Sequence, residues 1–154
     1  MKHGSTLFLK AAVGFMGLAV LAICSLLIIP TVAASEAGDY TLILILMCVS
    51  ALPFFFALHQ ALKLLGYIDK DKAFSMLSVK ALKTIKYCAF SIAVLYGICS
   101  PYIHYVANRD DAPGVNVIGF IVIFGSLLVA GFAAVLQLVL KTAIDMKKEN
   151  DLTV

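Results

Sequence analysis

KLLGYIDKDKAFSMLSVKALKTIK, residues Lys63 to Lys86, decides how the rest of this chain is read. It holds six of the twelve Lys and Arg residues and separates two pairs of long apolar runs. If those runs cross a bilayer, a short loop this basic stays in the cytoplasm, because Lys and Arg in short loops set orientation. The side of every other loop then follows.

Composition makes the bilayer the expected solvent. Hydrophobic residues are 62% of the 154 and charged residues 14%, against roughly 25% charged in soluble domains. The mean hydropathy is +1.02. One domain of this length cannot hide so much apolar surface in its own core, whereas a membrane tolerates it on the outside. The net charge of +3 does not point to nucleic acid. Arg109 is the one arginine, and the lysines sit at the ends of apolar runs, as a collar at the headgroups does. Cys24, Cys48, Cys88 and Cys99 all fall inside apolar runs without CxxC spacing, which argues against a secreted disulfide framework.

Four spans are expected, at about residues 7–29, 40–62, 87–107 and 115–140, since about twenty apolar residues cross about 30 Å of hydrocarbon. In the first, Lys10 can snorkel to the headgroups, and Pro30 is expected to stop the helix. A cleavable signal peptide is the rival reading, because Val32-Ala33-Ala34 before Ser35 has small residues suited to cleavage. The apolar segment is about twice the usual length for that role. In the second span Pro53 removes one helix hydrogen bond and predicts a kink near Val49 to Pro53. The third is richer in polar groups and ends in Tyr102 and Tyr105, an aromatic belt. The fourth places Ser126, Ala130 and Ala134 four apart, a small-residue stripe for close helix packing.

With both termini inside, the inner segments carry eleven basic residues against Asp69, Asp71, Asp145, Glu149 and Asp151. The outer loops carry Arg109 against Glu36, Asp39, Asp110 and Asp111. Within the central loop 63–86, apolar positions Phe74, Leu77, Ala81, Leu82 and Ile85 recur at three and four. That spacing predicts a short amphipathic cytoplasmic helix between the second and third spans, continuous with the third or bent from it, with Asp69 or Asp71 as its cap. The cytoplasmic tail is 141–154.

Chemistry is sparse. The spans hold no Asp, Glu or Arg, and intramembrane ionisable groups usually mark ion or proton paths. His59 and His104 lie near opposite span ends and read as interfacial side chains; the functional alternative makes His104 a sensor of the external medium or a ligand. Cys24, Cys48 and Cys99 with His104 would suit a soft metal if they met, but they read as small apolar residues, and no metal is expected. Gln137, Ser126 and Asn116 read as interhelical hydrogen-bonding groups. No nucleophile motif, carboxylate pair or phosphate loop appears; the two acids of NRDDAPG (108–114) are turn chemistry. Neither catalysis nor a cofactor is expected.

DKDKAFSMLSVKALKTIKY (Asp69 to Tyr87) and AIDMKKENDLTV (Ala143 to Val154) resemble a bacterial family known as domain of unknown function 2975. Lys72-Ala73-Phe74-Ser75 with Val79-Lys80-Ala81-Leu82 and Ile85 is similar to its central signature, and Glu149 to Val154 to its ending. The resemblance covers essentially the whole chain and implies a small plasma-membrane protein of four helices. Such proteins are often encoded beside a small helix-turn-helix regulator, which implies a membrane partner in transcriptional or stress control.

The expected fold is therefore an all-α integral membrane four-helix bundle, N-in and C-in, forming one domain over 1–154. The expected function is a non-enzymatic membrane module that binds a cytoplasmic or membrane partner through Phe74, Leu77, Lys80, Lys83, Glu149, Asn150 and Asp151. Ser126, Ala130, Ala134 and Gln137 are the expected packing face of the fourth helix, within the molecule or in a homo-oligomer. Two alternatives stand: a small transporter or channel subunit using Ser91, Tyr96, Ser100, Asn116 and Gln137, and an immunity protein against membrane-active peptides.

Overall fold

The computed structural model describes residues 2–33 and 38–153. Glu36, the Ala34-Ser35 end of the cleavage-like motif, and Val154 lie outside the described residues. Four helices follow in order: α1 (Lys2–Ala33), α2 (Thr41–Asp69), α3 (Met76–Arg109) and α4 (Pro113–Thr153). Each is long and apolar enough to cross a membrane, and the described residues contain no strand.

Every helix is longer than its apolar run. α1 continues past Pro30 to Ala33, so Pro30 does not stop it. Proline removes a single hydrogen bond, and spanning helices tolerate that loss. Pro53 and Pro101 likewise lie inside α2 and α3 without ending them. The segment after Lys141 is helical to Thr153.

No separate helix stands between α2 and α3 among the described residues. Residues 76–86, read as an interfacial helix, are the first three turns of α3 itself. Between Met76 and Tyr96 there is neither Gly nor Pro, so nothing interrupts the helix where the loop pattern meets the span. Ser75 holds the N-cap position in extended backbone, not Asp69 or Asp71. Its carbonyl accepts from the Ser78 and Val79 amides at 3.1 and 3.3 Å.

The same turn closes α2 and α3. Asp71 (φ 56°) and Asp111 (φ 49°) take the left-handed position just past each helix. The Lys72 amide reaches back to the Tyr67 carbonyl at 2.8 Å, and the Ala112 amide to that of Ala107 at 2.9 Å. This satisfies carbonyls that the helix end would strand. Aspartate is among the few side chains that visit this backbone region readily. Pro113 then opens α4, where its missing N–H is no loss.

The helices are packed in chain order, and the bundle is open. α3 packs against both α2 and α4, while α1 touches α2 alone. Among the described residues no Cα of α1 lies within 8 Å of α3 or α4. A compact protein of 16.5 kDa exposes roughly 7,600 Å² by size scaling, whereas this one exposes 10347 Å². Leu, Ile, Val and Phe side chains dominate the excess on α1, α2 and α4, as lipid-facing surfaces require.

The core lies along α3 and is built from small residues. Ala81, Ala89, Ala93 and Ala107 of α3 are buried, as are Gly119, Ala130 and Ala133 of α4. A Cβ at Gly119 would sit 3.6 Å from Ile103, so the two backbones run close together. On α1, a Cβ at Gly17 would come within 2.9 Å of Leu58. Gly17 thus lets α1 approach α2.

Candidate functional site: an apolar cavity and two polar ends

The helices alternate in direction, so one end of the molecule gathers the lysines and the other the acidic loops. At the lysine end, Ser78 is 0% exposed and Val79, Ala81 and Leu82 are buried. The opposite side of the same turns presents Phe74 (68% exposed), Met76, Leu77 (49%), Lys80 and Lys83. The predicted apolar face is therefore divided: Ala81 and Leu82 pack inward, Phe74 and Leu77 do not. Glu149, Asn150 and Asp151 are exposed near the end of α4. Ile144 is the last buried residue of that helix, so nine residues, about 13 Å at 1.5 Å each, project beyond it. The structure brings the two sets of residues expected to meet a partner to one end of the molecule, on separate helices.

Lys10 forms an ion pair with Asp69. This ties α1 to the last turn of α2, beyond its apolar segment. The Lys10 ammonium, then the Thr6 hydroxyl, hold the Asp69 carboxyl below the usual carboxylate range, because both interactions favour the charged form.

At the other end Asp39 is a hub. Its carboxylate pairs with Arg109, and its carbonyl accepts from the Tyr102 hydroxyl at 2.6 Å. The Asn108 and Asn116 amides lie 3.1 Å from the two ring nitrogens of His104. Asn116 therefore links α4 to α3, as an interhelical group is expected to do. Tyr105 is exposed.

Midway between the ends, all four helices surround a cavity of about 540 Å³. Met16, Val20 and Cys24 line it from α1; Ser50, Phe54 and Leu58 are among the lining of α2. Ile92 and Tyr96 face it from α3, and Gly125 and Ser126 from α4. No charged side chain lines it. Ser50, 8% exposed, donates to the Met47 carbonyl at 3.0 Å, and its hydroxyl lies 3.5 Å from that of Tyr96. Of the five residues expected for a transport path, Tyr96 alone lines this cavity. Ser100 and Asn116 line a far smaller space of about 10 Å³ between α3 and α4.

The packing face of α4 differs from the expected stripe in one respect. Ala130 is buried, Ser126, Ala134 and Gln137 are half-buried, and the next fully buried position is Ala133. A strict spacing of four advances about 40° per step, whereas alternating threes and fours stay on one face. The contact runs through 119, 126, 130, 133, 137 and 144 for that reason. The four cysteines are free, and among the described residues no three His, Cys, Asp or Glu side chains gather as a metal site would need.

Sequence reasoning missed the cavity, since its lining residues look like any other apolar span positions. It also missed the partners of Lys10 and Arg109. A lone basic residue at the edge of a span was the available signal for Lys10.

Two comparisons bear on identity. Residues 19–154 match the family described as "Protein of unknown function (DUF2975)". A relative from Bacillus subtilis (strain 168), described as "Uncharacterized membrane protein YoaS", is 51% identical over 161 residues, covering 100% of each chain. No solved structure matches.

Proposed function

The chain belongs to the DUF2975 family and is a multi-pass protein of the bacterial plasma membrane; from that premise we propose that it is a non-enzymatic module holding a partner-binding surface at the membrane. The surface is the lysine end, facing the cytoplasm in an N-in, C-in arrangement. One observation carries the reading: Phe74, Met76 and Leu77 are exposed beside Lys80 and Lys83, outside the apolar segment of α3. Exposed apolar side chains rimmed by charge suit a protein partner. The projecting end of α4, with Glu149, Asn150 and Asp151, lies at the same end. A soluble regulator with an acidic and apolar face would fit that chemistry, in line with the regulator gene that the family resemblance associates with such proteins.

The competing role for the lysines is anchoring to anionic lipid, at about 1 kcal/mol each. Site-specific photocrosslinking in cells separates the two. Crosslinkers at Phe74 and Leu77 are expected to capture one discrete protein, and Lys80→Glu with Lys83→Glu to abolish the capture while the protein stays in the membrane. Crosslinks to lipid alone would refute the reading. Orientation has its own test: an impermeant thiol reagent outside intact cells should not label Lys83→Cys in a background without native cysteines.

A further inference from the structure

We propose that the cavity between the four helices is a binding site for a neutral long-chain lipid bearing a hydroxyl or carbonyl, such as a long-chain alcohol or ketone, entering sideways from the bilayer. At about 540 Å³ the cavity falls in the size range of small-molecule sites, which pair an apolar lining with a few placed polar groups. Its shape selects a chain. The lining on α2 runs from Met47 to Ala61, about 21 Å along the helix axis at 1.5 Å per residue. That is about two-thirds of a hydrocarbon core of about 30 Å, and it runs in the direction lipid tails take.

The entrance follows from the packing. α1 and α2 touch, as do α2 and α3, and α3 and α4, whereas α1 and α4 do not. The seam between α1 and α4 is thus the side that stays open among the described residues, and it faces lipid.

The polar groups select the head. Ser50 and Tyr96 lie close to the midpoints of their apolar segments, 40–62 and 87–107. The Tyr96 hydroxyl lies 3.5 Å from that of Ser50, at the outer limit of a hydrogen bond. A phenol at that depth gains from a closer acceptor. A ligand oxygen beside Ser50 and Tyr96 would supply it. A phosphate would find no cation in the lining and would bear the cost of charge at the bilayer centre. The ligand is therefore uncharged.

The test uses the purified full chain in phosphatidylglycerol vesicles, with photoactivatable diazirine-bearing hexadecanol and the hexadecane analogue as probes. The expected result is labelling on peptides containing Ser50, Tyr96 and Gly125, chased by unlabelled hexadecanol. The alcohol should be preferred over the alkane by about 2- to 12-fold, the worth of one net hydrogen bond, and Tyr96→Phe should remove the preference. Gly125→Leu fills the cavity, and a Cβ there meets nothing within 4 Å, so the variant should fold. It should cut labelling by at least about fivefold, the cost of overpacking. Gly131→Leu makes the same change in equally open space off the cavity lining and should leave labelling intact. Equal labelling by both probes would overturn the proposal, as would label spread evenly over Leu18 and Phe132 or a null effect of Gly125→Leu. Crosslinks between two copies of the chain through Gly125→Cys would overturn it in favour of a second copy in the seam.

Discussion

Lys10 is the one basic residue inside an expected span, and its placement beside Asp69 turns an edge charge into a tether. The Asp69 carboxyl is held below its ordinary range in the folded protein. Its contribution to stability is therefore present above the ordinary carboxylate pKa of about 3.9. It is lost as pH falls through the lower folded value. Spin labels at Leu9→Cys and Lys70→Cys, in a background without native cysteines, should report an unchanged distance from pH 8 to pH 5. The distribution should broaden only in stronger acid, and with Asp69→Asn it should be broad throughout. That Lys10 lies near one end of an apolar helix was readable from its position. Its partner was not, because 59 residues separate the two and several acids were available.

At the scale of the helices, lengths were the least readable feature. Hydropathy marks where lipid is, and a helix need not stop there. The lysine-rich turns of α3 before its span and the end of α4 after its span carry no Gly or Pro, so the backbone continues. The spacing of Phe74, Leu77, Ala81, Leu82 and Ile85 identified a helix and left it either continuous with the third span or bent from it; the structure has the continuous form. Likewise a stripe at intervals of four marked Ser126 and Ala130, but Ala133 enters because neighbouring helices follow alternating threes and fours. Since no described residue after Ile144 is buried, removing residues 146–154 should leave the thermal unfolding midpoint in detergent unchanged. Capture of the proposed partner should weaken in the same truncated chain. A fall in the midpoint would mean that the projection packs against something.

For the whole molecule, four helices long and apolar enough to cross a membrane were readable from composition and hydropathy. The open seam was not, since amphipathic patterns cannot tell a lipid-facing side chain from one lining an apolar cavity. Stability is expected to be uneven. α3 and α4 share the buried small-residue face, whereas α1 is held through α2, Gly17 and the Lys10 tether. Gly17→Leu should loosen α1 by about 1–3 kcal/mol, the usual cost of overpacking, because even its Cβ meets Leu58. Hydrogen exchange should then quicken in α1 and leave α3 and α4 as they were. Equal quickening throughout would show instead that the four helices open as one unit.

The uninterrupted first part of α3 has a mechanical consequence. From Met76 to Tyr96 it is a stiff shaft about 30 Å long at 1.5 Å per residue, with Lys80 and Lys83 near one end and the Tyr96 hydroxyl at the other. No Gly or Pro lies between them, so any rotation of this segment about its own axis would carry the phenol and the lysines together.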